Sequence, residues 1–167
     1  MKETVTINIE NLSEEERKQF MRLIEKSNKE KNKVWKLTDR EKYYYIRNDG
    51  EVYHGFYEKY CSADCGNYSM GNCFRTEEEA KFAVEKLKVI AELKRFAAEN
   101  NKNIDWNEEF QHKYCLRYDC KHNEIVVEYN LFLKNNTTYF SSKEIAKRAI
   151  TTIGIKRLKK YYFEIEE

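Results

Sequence analysis

The chain repeats itself, and self-similarity at a fixed period restricts it to folds assembled from two like parts. Trp35 stands seven residues before Lys42-Tyr43, and Trp106 stands seven before Lys113-Tyr114, an offset of 71. Further on, Phe74-x-Thr76-x-Glu78-x-Ala80-Lys81-x-Ala83-Val84 returns as Phe140-x-Ser142-x-Glu144-x-Ala146-Lys147-x-Ala149-Ile150, an offset of 66. The halves share an order of parts, the second having lost five residues between its landmarks.

Composition sets the class. The 167 residues are 36% charged and 41% hydrophobic, the balance of a folded globular protein rather than a disordered one. Formal charge is +2, too small for a protein that lives on general phosphate attraction. No apolar run reaches the ~18 residues of a membrane span, and the N-terminus carries no export signal. The five cysteines are an odd number without disulfide spacing, so reduced thiols and a cytoplasmic setting are expected.

Residues 3–10 alternate in polarity and predict a strand, followed by a helix from the Ser13–Glu16 capping box to about Ser27. Leu12, Phe20, Leu23, Ile24 and Ser27 lie on or beside its apolar stripe, and Asn28 to Lys33 reads as a linker. The first repeat then offers a strand over Lys42–Arg47, a turn at Asn48-Asp49-Gly50, and a return over Glu51–Tyr57. Glu58 to Gly71 reads as a long loop before a short strand at Asn72–Phe74. A second capping box, Thr76-x-x-Glu79, opens the longest helix, running to about Asn100. Its stripe is Ala80, Ala83, Val84, Leu87, Ile90, Ala91 and Leu93.

The second repeat predicts a hairpin of Phe110–Asp119 and Ile125–Leu133 and a short strand at Thr138–Phe140. A helix follows, capped by Ser141 or Ser142 and stopped by Gly154. A strand-like Tyr161–Ile165 ends the chain. The expected architecture is α+β: a tandem pseudo-symmetric repeat of a three-stranded antiparallel sheet plus helix. Its parts are an N-terminal strand-helix element (1–33), repeat 1 (34–103) and repeat 2 (104–167).

Three residue sets could carry chemistry. His54, Cys61, Cys65 and Cys73 fall within twenty residues, and Cys61-x3-Cys65 has a spacing that zinc sites use. The second ligand pair would have to come from two strand residues, so ordinary reduced thiols are the expectation, with no metal and no cofactor. Lys143, Lys147, Arg148, Lys156, Arg157, Lys159 and Lys160 form a basic cluster fit for phosphate or an acidic surface. The reading preferred over binding is a solvated helix face, offset by Glu164, Glu166 and Glu167 nearby. Tyr43, Tyr44, Tyr45, Tyr53 and Tyr57 form an aromatic set. Within a strand Tyr43 and Tyr45 share one face and Tyr44 takes the other, which makes interface material of some of them. Trp35 and Trp106 are expected in the core. No P-loop, dinucleotide fingerprint, nucleophile elbow or zinc-protease helix is present, so no catalytic residue is assigned.

Trp35, Lys42-Tyr43-Tyr44-Tyr45-Ile46, Asp49-Gly50-Glu51-Val52 and Gly71-Asn72-Cys73-Phe74-Arg75-Thr76-Glu77-Glu78-Glu79-Ala80 together resemble a group of small phage proteins. Asp105-Trp106-Asn107, Lys113-Tyr114, Tyr139-Phe140-Ser141-Ser142 and Lys159-Lys160-Tyr161-Tyr162-Phe163 extend the likeness. That group comprises accessory proteins carried by phages and prophages of Gram-positive bacteria. Its members often have proline after the first tryptophan, where this chain has Lys36-Leu37. The group is recognised by its pattern rather than an activity, so the resemblance implies context and no catalytic residues.

The expected function is therefore a non-enzymatic binding protein acting in the host cytoplasm against a defence component. Its partner would be a CRISPR nuclease or an immune nucleotide signal. The alternative is a nucleic-acid-binding accessory factor using the basic cluster. Self-association through residues 1–30 is a further expectation.

Overall fold

The computed structural model describes residues 12–31 and 35–165, which divide into two compact units, Met1–Thr38 and Asp39–Glu167. The strand expected over residues 3–10, and with it part of the segment expected to dimerise, lies outside the described residues.

The first unit holds helix α1, Glu14–Lys31. Its capping box forms: the Ser13 amide donates to Glu16 at 2.9 Å and the Glu16 amide to the Ser13 hydroxyl at 3.4 Å. Glu14, Glu15 and Glu16 suit the positive end of the helix dipole. The expected linker is helical through Lys31, since Asn28-Lys29-Glu30-Lys31 contains neither glycine nor proline to stop it. Leu12 and Phe20 are half-buried, whereas Leu23 and Ile24 are exposed.

The second unit is α+β with two small antiparallel sheets. Strands β1 (Lys42–Ile46) and β2 (Val52–Phe56) form a hairpin, Ile46 opposite Val52 and Lys42 opposite Phe56. Gly50 takes φ 82° in its turn, a conformation other residues adopt only at a cost. The third strand expected here reduces to one antiparallel bridge, Tyr44 to Phe74. The cause is Asn72, whose amide side chain takes the place of the next backbone pair. Its Oδ1 accepts from the Ile46 amide at 2.9 Å and its Nδ2 donates to the Ile46 carbonyl at 2.8 Å. The expected Glu58–Gly71 loop contains a helix, α2 (Ser62–Ser69).

Helix α3 (Glu77–Asn100) starts at the predicted Thr76–Glu79 capping box. It buries Ala80, Val84, Val89, Leu93 and Ala97, while Leu87 of the expected stripe is exposed. Strands β3 (Lys113–Asp119) and β4 (Glu124–Asn130) form the second hairpin, and β5 (Tyr139–Phe140) gives the order β4-β3-β5. Helix α4 (Lys143–Ile153) is capped by Ser142, whose hydroxyl accepts from the Ile145 amide at 3.2 Å. Ser141 instead accepts from the Lys102 amide at 2.9 Å.

Gly154, at φ 98°, ends α4 as expected, and a short turn α5 (Ile155–Arg157) follows. A π-helical turn over Leu158–Tyr162 replaces the predicted final strand. Its wide winding closes an i to i−5 bond, Phe163 amide to Leu158 carbonyl at 3.0 Å, and brings Tyr161, Tyr162 and Phe163 against the core.

The core joins Val89, Leu93 and Ala97 of α3 to Leu116, Phe140, Ala146, Ala149, Ile153 and Leu158. Each large aliphatic or aromatic member contributes about 1.5–3 kcal/mol by leaving water. Neither β1 nor β2 supplies a member of this cluster, and neither does Trp35 or Trp106, both half-buried. Among the described residues no helix is long and apolar enough to cross a membrane.

Candidate binding surface

Strand alternation places Tyr43, Tyr45, Tyr53 and Gly55 on one face of the first hairpin, with Tyr43 opposite Gly55 and Tyr45 opposite Tyr53. A Cβ on Gly55 would stand 3.7 Å from the Tyr43 ring and 3.9 Å from the Tyr45 ring. The bare glycine thus gives both rings a backbone to lie across. Ring contacts continue in an unbroken chain. Tyr68 of α2 meets Tyr57 at 6.0 Å, Tyr57 meets Tyr43 at 6.3 Å, Tyr43 meets Tyr45 at 5.5 Å, and Tyr45 meets Tyr53 at 6.4 Å. The Arg47 guanidinium closes the row, 4.5 Å from the Tyr53 ring centre.

Tyr43 is the buried base of this row. Its hydroxyl donates to Asp64 Oδ1 at 2.6 Å and accepts from Asn67 Nδ2 at 3.3 Å, while Asp64 Oδ2 takes the Glu58 amide at 2.9 Å. Asp64 therefore ties α2 to β1 and to the loop that follows β2. Burial, then the bond to Asp64, raises the Tyr43 phenol well above the ordinary tyrosine value. Burial and the Asp64 charge push the Cys73 thiol up to about 11, an unreactive state.

Of the five aromatic residues the sequence points to, Tyr45, Tyr53 and Tyr57 join buried Tyr43 in the row, Tyr53 exposed and the other two half-buried. Tyr44 points the other way, edge-on to His54 at 6.0 Å with the Lys42 ammonium 5.0 Å from its ring. Tyr68 is absent from that set because α2 reads as loop in the sequence, and Arg47 because its ring partner, Tyr53, lies across the hairpin. The signal that was available is Tyr-x-Tyr facing Tyr-x-Gly across a short hairpin.

The thiols do not converge. His54 is on the hairpin face opposite Tyr43, Cys65 donates to the Lys59 carbonyl at 3.2 Å, and Cys73 is half-buried beside Asp64. Cys61, at the start of α2, is half-buried, and all five cysteines are free. Among the described residues no three His, Cys, Asp or Glu side chains are grouped to hold a metal ion.

The basic residues are dispersed in role. Arg157 makes a bidentate pair with Glu92 of α3 at 2.8 and 3.0 Å, which holds the Glu92 carboxyl below its usual range. Lys159 donates to the Asn123 carbonyl at 2.7 Å, and Arg148 to Asn100 at 3.1 Å. Lys160 lies 5.2 Å from the Tyr161 ring centre. Lys143, Lys147 and Lys156 are exposed.

Comparison of the chain with protein-family models, curated proteins and solved structures gives no match.

Proposed function

We propose that this is a non-catalytic binding protein, made by a phage in its host, that docks a host defence protein on the tyrosine face of the first hairpin. The observation that carries the reading is the continuous tyrosine row, rooted in a buried, hydrogen-bonded Tyr43 and open to solvent at Tyr53 and Tyr68, with Tyr45 half-buried between them. Such rings offer large contact area at little entropic loss, which is what interface anchors need. A CRISPR nuclease is the first target class to test, and an immune nucleotide signal stacked on the rings is the second. A Tyr45→Ala, Tyr53→Ala double variant is expected to lose at least about tenfold in affinity, roughly 1.4 kcal/mol. A panel of defence nucleases and signalling nucleotides showing neither binding nor inhibition overturns the reading.

The nucleic-acid alternative has less support, because Arg157 and Lys159 are engaged within the protein. We also propose that 34–103 and 104–167 descend from one module. In its favour, each half has a hairpin strand meeting a phenylalanine two residues before a helix cap: Tyr44 with Phe74 before Thr76, and Tyr114 with Phe140 before Ser142.

A further inference from the structure

At the opposite end of this unit's chemistry stands Lys113, a lysine with no exposed surface. Its ammonium donates to the Glu108 carbonyl at 2.7 Å and the Leu131 carbonyl at 3.1 Å, and lies 5.6 Å from the Trp106 ring centre. Lys134 approaches the same indole at 5.3 Å, and Trp106 packs edge-on against buried Tyr139 at 4.9 Å. One buried cation thereby pins the loop before β3 to the loop after β4.

Those pinned loops hold large apolar side chains out in water. Phe110 is 86% exposed, Phe132 65% and Leu133 71%, and Tyr129 at the adjoining end of β4 is 53% exposed. Tyr129 stacks on His112 at 4.0 Å, which links the Phe110 loop to the Phe132 loop across the strand ends. With large side chains presenting roughly 150–250 Å² each, these four expose on the order of 500 Å². The largest apolar patch of a typical monomer is about 300–600 Å², and a patch of that size is often functional. A flexible loop could fold such groups inward; one held by a buried ammonium cannot.

We infer that this crest is covered by a second copy of the chain, in a two-fold dimer that pairs each crest with its counterpart. The charges around it are self-complementary. The first loop carries Lys102 at its start and then Asp105, Glu108 and Glu109, the second carries Lys134, and all five are exposed. Asp105 and Glu108 already accept backbone amides from Asn107 and Phe110, which leaves Glu109 as the outward-facing acid opposite the partner's lysine in an isologous arrangement. Two crests bury about 1,000 Å² together, the lower bound for a specific interface, so the dimer is weak and concentration-dependent. It also doubles the tyrosine faces presented to a target.

Sedimentation equilibrium on the full chain tests this, from low micromolar to about 100 µM, where an interface of this size is populated. The dimer is expected to appear across that range and to vanish in a Phe110→Asp, Phe132→Asp variant. Leu87→Asp, exposed on α3 outside the crest, is expected to leave it intact. Glu109→Lys and Lys134→Glu should each weaken dimerisation, and their combination should restore it. Circular dichroism checks that each variant is folded. A monomer throughout the range, a dimer indifferent to the crest substitutions, or association with lipid vesicles through Phe110 and Phe132 overturns the inference.

Discussion

Lys113 is a residue whose chemistry is set entirely by where it points. Substituting Lys113→Met keeps the length of the side chain but leaves the Glu108 and Leu131 carbonyls without their donor. The expected loss is about 1–3 kcal/mol, because part-buried acceptors stripped of a charged donor suffer a desolvation penalty. Urea unfolding measures it, and a change below ~0.5 kcal/mol would show that the pin does not hold. At this scale the sequence misleads in an instructive way. Lys42-Tyr43 and Lys113-Tyr114 are the clearest repeat landmark, yet Lys42 is exposed and Tyr43 buried, whereas Lys113 is buried and Tyr114 only half-buried. The bridge partners explain this. Tyr44 meets Phe74 in one hairpin and Tyr114 meets Phe140 in the other, so strand register differs by one residue from the landmark alignment. A one-residue slip moves every side chain to the other face, and composition alone carries no trace of it.

Elements with local chemical signatures were legible: three capping sequences, the Asn48-Asp49-Gly50 turn, and the stop at Gly154. Those held by distant partners were not. Helix α2 contains Gly66 and little apolar content, and its place is fixed by Asp64 on Tyr43, twenty-one residues earlier in the chain. That dock carries a pH dependence with a definite sign. Tyr43 and Cys73 both have raised proton affinities in the folded protein. The unfolded chain therefore releases their protons first as pH rises. The stability they contribute is complete below the ordinary thiol value near 9.0 and, for Cys73, lost as pH climbs through about 11. Hydrogen exchange of the α2 amides and denaturation at stepped alkaline pH are expected to show this weakening. Cys73→Ala should remove the thiol's share, and a stability flat from neutral pH to about 11 would contradict the argument.

For the unit from Asp39 onward, the α+β class was readable, but the distribution of its core was not. Equal repeats predict equal cores. Instead the buried aliphatic cluster lies between α3 and the second half, while the first hairpin relies on tyrosine, Asp64 and Asn72. The reason is that α3 is shared. It follows the first hairpin in sequence, yet turns Val89, Leu93 and Ala97 toward Leu116, Phe140 and α4. Arg157 then fastens the C-terminal turn back to Glu92 of the same helix. A helix with both halves leaning on it makes them unfold together. Leu93→Ala, at a fully buried site, is expected to remove about 2–5 kcal/mol by lost transfer energy and the cavity left behind. In a Trp35→Phe background, Trp106 fluorescence reports the second half, and a Tyr53→Trp reporter with Trp106→Phe added follows the first. Both should shift to the same lower denaturant midpoint, as one cooperative transition requires. Separation of the two curves would mean that the first hairpin stands on its own tyrosine base, and that α3 couples the halves less tightly than its shared position implies.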